Sequence, residues 1–197
     1  MQVVRVNDKQ ADERLKGRGP AFQTVTGHLL YILDPQPKDI NIYDIAIGLS
    51  NQCRYNGQLP NFYSVAQHSV IVAEMAEADG RNKKACLKAL LHDSHEAYLG
   101  DIVTPLKILL DNYKDIENSV DDVICKKYKV VKGMPDWLHG YDKVVLATEI
   151  RDLRPEGMIR HRSAEHLREP LERKIVAMAP TEAALLFLQK FLQYTKQ

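Results

Sequence analysis

Leu90-Leu91-His92-Asp93-Ser94-His95-Glu96-Ala97-Tyr98-Leu99-Gly100-Asp101 sets a dense polar cluster directly behind two leucines. Upstream, Asn82 can cap a helix in which Ala85, Ala89, His92 and Glu96 recur at i, i+4 spacing. The cluster is therefore expected inside a helix that stops at Gly100. Burying it without partners would cost about 1–3 kcal/mol per unsatisfied polar group, and more for a charge. A divalent cation removes that penalty, because imidazole and carboxylate both donate lone pairs to it. Adjacent helical positions diverge by about 100°, so other helices must complete the ion's ligands.

Reading outward, Ser64-Val65-Ala66-Gln67 fits a capping box, and its helix is expected to reach Asp79 and stop at Gly80. Its apolar stripe is Val65, Ser69, Val72 and Ala76, with His68 beside it. An earlier helix would start at Asn41 and carry Ile42, Ile45, Ala46 and Leu49, and Gln52–Phe62 reads as loop. After Pro105, one amphipathic segment carries Ile116, Val120, Val123 and Ile124, and the next carries Asp142, Val145, Leu146, Glu149 and Leu153. A last helix, Thr181–Tyr194, lines up Leu185, Leu188 and Leu192. Strand alternation is confined to Val3–Val4 or Tyr31–Leu33. The expectation is an all-α bundle of six or seven helices in one domain over 1–197, with 154–197 packed on a core spanning about 26–153.

Composition narrows the function classes. Lys and Arg number 27 against 26 acidic residues, a net charge of +1, which argues against a nucleic-acid polymer or an anionic membrane as partner. No apolar run reaches the roughly 18 residues of a spanning helix, and Met1–Arg5 lacks a signal-peptide core, so a cytoplasmic location is expected. Cys53, Cys86 and Cys125 form no C-x-x-C pair, which suits reduced thiols.

Two residues can complete the metal set. His68 opens the preceding helix, and Asp142 lies on an inward stripe, where a carboxylate is unusual unless paired or ligated. With His92 and Asp93 they make an N2O2 centre. Glu96, four residues past His92, could take a proton from a water there. Lys107 is a further cation close to this motif in the sequence, available to a bound anion.

The order His68, His92-Asp93, Asp142 resembles the signature of the HD-domain phosphohydrolases. Tyr63–Ser69 and His92–Lys107 are similar to the branch holding bacterial 5′-deoxynucleotidases and phage dATP triphosphohydrolases, over about Thr26 to Leu153. The resemblance implies an HD-domain helical bundle with one divalent transition metal (Co, Mn, Zn, Fe or Ni). It implies catalytic roles for Glu96 and Asp101, and a substrate-binding pair in Arg54-Tyr55. By the same resemblance Thr26–Tyr31, with Leu29 and Tyr31, would wall a base pocket, although an Arg is common where His28 stands. His95 replaces a usually small residue and is read either as a phosphate donor or as solvent-facing. The implied substrate is a 2′-deoxyribonucleotide, foremost dATP cleaved to deoxyadenosine and triphosphate, with a further Mg accompanying the triphosphate. The alternatives are a monophosphate 5′-deoxynucleotidase and a non-catalytic HD-like module that binds nucleotide or a partner protein. Related enzymes associate, so a homo-oligomer is expected, with Leu185, Leu188 and Leu192 available to bury against a second copy.

Blander readings stand beside these. Arg54 could bridge to Asp44 or Asp101. Glu149 and Arg151 could position ligands or bridge to each other. Trp137 reads as a packing anchor. His28, His139, His161 and His166 read as surface residues, and Arg160–Arg162 as a solvated basic patch.

Overall fold

A computed structural model describes residues 17–155 and 168–196. The expected strand at Val3–Val4, together with His161, His166 and the Arg160–Arg162 patch, lies outside the described residues. The chain is all-α apart from one small hairpin. Strand β1 (Ala21–Gln23) pairs antiparallel with β2 (Leu29–Tyr31), Phe22 opposite Leu30. The strand expected at Tyr31–Leu33 thus forms two residues earlier. Among the described residues eight α-helices follow: α1 (Ile42–Asn51), α2 (Val65–Ala78), α3 (Lys83–Leu90), α4 (Glu96–Leu99), α5 (Thr104–Lys107), α6 (Tyr113–Tyr128), α7 (Asp136–Leu153) and α8 (Pro180–Thr195). No helix among the described residues is long and apolar enough to cross a membrane.

Local chemistry sets the starts of the first three helices. Asn41, Ser64 and Asn82 each accept a hydrogen bond from a backbone N–H of the first turn, at 2.9, 3.1 and 3.0 Å. The Ser64 capping box is only half formed, however. Gln67 does not turn back; its amide donates to the Val176 carbonyl (2.8 Å) and accepts from the Met178 N–H (3.0 Å). That exchange pins the segment before α8 onto α2. Helix α2 is the centre of the bundle, packed by α1, α3, α7 and α8, and every residue from Val65 to Ala73 is buried. It is surrounded on all sides at this end rather than striped.

The one clear departure from the expected helices is at the polar motif. Helix α3 ends at Leu90, residues 91–95 form turns, and α4 restarts at Glu96. His92 explains the break: its Nδ1 bonds the Ala89 carbonyl at 2.8 Å, taking the acceptor that a continuing helix would offer to the Asp93 N–H. The chain then tightens into i, i+3 bonds, Ser94 N–H to Leu91 O and Glu96 N–H to Asp93 O. Six or seven helices become eight because this break and the proline at Thr104-Pro105 each leave a single-turn helix.

Helix α1 supports the broken motif from outside. A Cβ on Gly48 would meet the Ala97 side chain and carbonyl at 2.9 Å, so only glycine permits this approach of α1 to α4. The hairpin is anchored independently, with Thr26 donating through its N–H (2.9 Å) and hydroxyl (2.8 Å) to Asp44. Trp137 packs edge-on to Tyr141 and beneath Arg81, the anchoring role expected of it. The three cysteines are unpaired thiols.

Candidate metal centre

His68 arrives from the first turn of α2, fully buried; His92 and Asp93 come from the turn after α3; Asp142 comes from the second turn of α7. One ligand atom from each of His68, His92 and Asp142 can be chosen so that all three lie within 4.8 Å of one another. Asp93 Oδ2 joins them, 3.1 Å from His92 Nε2 and 3.8 Å from His68 Nε2. The structure therefore brings together all four residues of the expected set, and the His-His-Asp cluster can hold a metal ion.

The tautomers follow from the outer hydrogen bonds. The Ala89 carbonyl can only accept, so His92 carries its proton on Nδ1. His68 Nδ1 lies 2.7 Å from Glu149 Oε1, and the ionised carboxylate likewise requires the proton on Nδ1. Both Nε2 lone pairs are thereby turned to the same point. Both atoms are buried without a hydrogen bond. His68 Nε2 stands 3.1 Å from Asp142 Oδ1, but out of hydrogen-bonding direction. Two orphaned imidazole nitrogens facing two carboxylates form a donor set suited to a borderline cation.

Charge in the centre is consistent with that reading. Burial and the Arg54 charge disfavour an imidazolium at His68, but Glu149 and Asp142 outweigh them and raise its pKa to about 9. A second proton on this ring would sit on Nε2, the atom a metal would take in its place. Burial raises the Asp93 and Asp142 carboxyls, and the adjoining imidazoles more than reverse this, so both lie below the ordinary range. Glu96 goes the other way. Burial, then the negative charges of Asp93 and Asp101, push it well above the usual range, and its Oε2 has no hydrogen-bond partner. Asp101 is also raised, chiefly by burial.

A cavity of ≈ 300 Å³ opens on this cluster, lined by Arg54, Tyr55, Asp93, Glu96, Asp101, Lys107 and Asp142 among others. Five of the residues read from the sequence, Arg54, Tyr55, Glu96, Asp101 and Lys107, thus share one space with the two metal-site carboxylates. The Arg54-Tyr55 turn is held beside it by the Arg54 N–H bonding Tyr63 O (2.9 Å) and by the bridge between Cys53 and Ser64. Tyr55, Asn56 and Gly57 have φ of 57°, 51° and 72°. Left-handed backbone at two non-glycine residues costs free energy and is found where geometry is imposed by a site.

Several expectations need correction. Arg54 bridges neither to Asp44 nor to Asp101; its Nε and Nη2 lie 3.3 Å from Glu149 and its Nη1 3.8 Å from Asp93. Glu149 does not pair with Arg151, which binds Asp152 at 2.7 Å. His95 does not face solvent: it is buried, 3.2 Å from Glu117. Lys107 also binds Glu117, at 2.7 Å, and lies 3.9 Å from Glu96. Leu29 and Tyr31 line neither this cavity nor the neighbouring one of ≈ 260 Å³; Tyr31 instead lies under Arg18. His28 and His139 are exposed as expected.

Glu117 was missed altogether. It is buried and gathers His95, Lys107 and Lys114. The available signal was its spacing with Val120 and Ile124, which puts an acid on an inward stripe just as Asp142 does. On that stripe the structure buries Glu117, Val120, Ile124 and Cys125.

No family model matches the sequence. Among curated proteins, an uncharacterized protein of Rhodobacter capsulatus is 38% identical over 116 residues, 56% of this chain and 59% of that protein. The uncharacterized protein YfdR of Escherichia coli K12 is 36% identical over 170 residues, covering 86% of this chain and 93% of YfdR. With that identity carried over nearly the whole of both chains, the protein belongs to the YfdR family.

Proposed function

We propose that this centre holds one divalent transition metal on His68, His92, Asp93 and Asp142, and that the protein is an HD-type phosphohydrolase of 2′-deoxyribonucleotides. The observation that carries the reading is the pair of buried Nε2 atoms of His68 and His92, without a hydrogen-bond partner among the described residues and converging with Asp142, which lines the cavity shared by Arg54, Glu96, Asp101 and Lys107. A bound divalent ion would supply positive charge that acidifies a water and neutralises phosphate oxygens. Glu96 is the group that accepts the water's proton, since its buried carboxylate is the more basic for its surroundings. Asp101, which lines the same cavity, is the group assigned to return a proton to the departing 5′ oxygen, and its raised pKa supports that role. Arg54 turns Nη1 toward Asp93 and the cavity, where a guanidinium suits phosphate oxygens. A non-catalytic binding module would need no water-activating carboxylate, so the presence of Glu96 beside the cluster favours catalysis.

The first choice of substrate is dATP, giving deoxyadenosine and triphosphate, with a further magnesium ion accompanying the phosphates. A second reading, a deoxynucleoside 5′-monophosphate, gains weight from one observation. Of the groups read as available to further phosphates, Lys107 and His95 are both engaged by Glu117, and the Arg160–Arg162 patch lies outside the described residues. Association of copies through the outward Leu185 and Leu192 of α8 belongs to the same proposal; Leu188 packs on the core instead.

The test is a screen of the protein, loaded in turn with Co, Mn, Zn, Fe or Ni, against deoxy- and ribonucleotides carrying one, two or three phosphates. Nucleoside release with triphosphate as co-product supports the first reading, and activity on monophosphates alone supports the second. No phosphoester hydrolysis with any metal would reject both.

A further inference from the structure

We propose that Glu149 is the positioning residue of the centre, fixing His68 as an Nε2 ligand and tying the Arg54-Tyr55 turn to it. The inference rests on the metal reading above and concerns a residue that does not face the ion. Glu149 lies on α7 seven residues after Asp142, two turns along the same face, so the helix that delivers one ligand also delivers the brace for another. Its side chain is fully buried. A carboxylate in that position is tolerable only if its oxygens are satisfied, and the partners divide by function. Oε1 accepts from His68 Nδ1 at 2.7 Å. Oε2 accepts from the Tyr55 hydroxyl at 2.6 Å and from Arg54 Nε at 3.3 Å.

One carboxylate thus holds both the metal-facing imidazole and the cavity-facing turn. For His68, a carboxylate on Nδ1–H fixes the tautomer, stops ring rotation and makes Nε2 a better donor, effects typically worth about 10–100-fold in metal affinity. For the turn, it holds two side chains on a backbone with consecutive left-handed residues. The rival account is a buried ion pair between Glu149 and Arg54 that only stabilises the fold.

Zinc binding by calorimetry and melting temperature, measured on wild type, Glu149→Gln and Glu149→Ala, separate the two. A positioning role predicts zinc affinity about 10–100-fold weaker in Glu149→Ala. It predicts a smaller loss in Glu149→Gln, whose amide oxygen can still accept from Nδ1–H. Lowered melting temperatures with unchanged zinc affinity would overturn the proposal and leave a structural ion pair. Wild type that binds no zinc or other divalent metal would instead remove the metal reading beneath it. Should the variants not fold, nitrogen NMR of the wild-type zinc complex decides alone. Nδ1 protonated and Nε2 metallated at His68 is the expected result, and the opposite arrangement would overturn the role of Glu149.

Discussion

Two imidazoles define the centre through the nitrogens that point away from it. Ala89 O and Glu149 each claim an Nδ1 proton, leaving the buried Nε2 atoms of His68 and His92 without a hydrogen-bond partner among the described residues. Asp142→Asn should therefore lower metal occupancy, measured by elemental analysis, because it removes a charge the two nitrogens cannot replace. Full occupancy would show that Asp142 is not a ligand. Glu96→Gln should keep the metal while kcat falls about 10²–10⁴-fold, the usual range for a lost general base. An unchanged kcat would make Glu96 a spectator. The raised pKa of Glu96 adds a pH test. A base works when deprotonated, so kcat/KM should climb with pH through a value above the ordinary glutamate range, and the limb should vanish in Glu96→Gln.

At the scale of elements, the centre depends on helices that stop or approach at defined points. Gly48→Ala would drive a methyl to 2.9 Å from the Ala97 side chain and carbonyl. Helix α1 must then move off α4, next to Glu96. A loss of about 1–3 kcal/mol, the usual cost of overpacking, is expected in chemical denaturation, together with reduced turnover. Unchanged values for both would mean that the helices part without cost. Glu117 joins α6 to α5 and to the motif turn. The His95 hydrogen bond, with help from Lys107 and Lys114 and against the effect of burial, holds its carboxyl well below the usual range. An acid whose folded pKa is depressed stabilises the protein above its ordinary value near 4.5, and that contribution is lost as pH falls toward the folded pKa. Glu117→Gln should thus flatten the acid limb of stability and cost about 1–3 kcal/mol at neutral pH. An acid limb identical to wild type would refute this.

Over the whole molecule, the donors come from α2, the turn after α3, and α7, positions separated by as many as 74 residues between His68 and Asp142. Such a set exists only when the bundle is assembled, so a metal held there would bind the folded state and not the unfolded chain. Free metal at 100 times its Kd should add about 2.7 kcal/mol. It should raise the melting temperature, and a chelator should reverse the gain. A melting temperature indifferent to every divalent metal tried would argue against the centre as a whole.

Helix starts, helix faces and the identity of the clustered side chains were legible along the chain, because caps, 3.6-residue spacing and an inward acid are local signals. Asn41, Ser64 and Asn82 cap as expected, and Asp142 lies where its stripe placed it. The break at Leu91 was not legible, since it depends on the His92 ring competing with the backbone for Ala89 O. Nor were the pairings of Glu149 with His68 and Arg54, or of Glu117 with His95 and Lys107. Those contacts join residues up to 95 positions apart, and several carboxylates compete for each cation. Charge type makes every such pair equally plausible in the linear chain. Only the packing of α7 against α2, and of α6 beside the motif turn, selects which carboxylate arrives at which nitrogen. The sequence by itself determined the elements and the chemistry available; the tertiary structure decided the partners, because packing fixes which carboxylate comes within reach of each buried nitrogen.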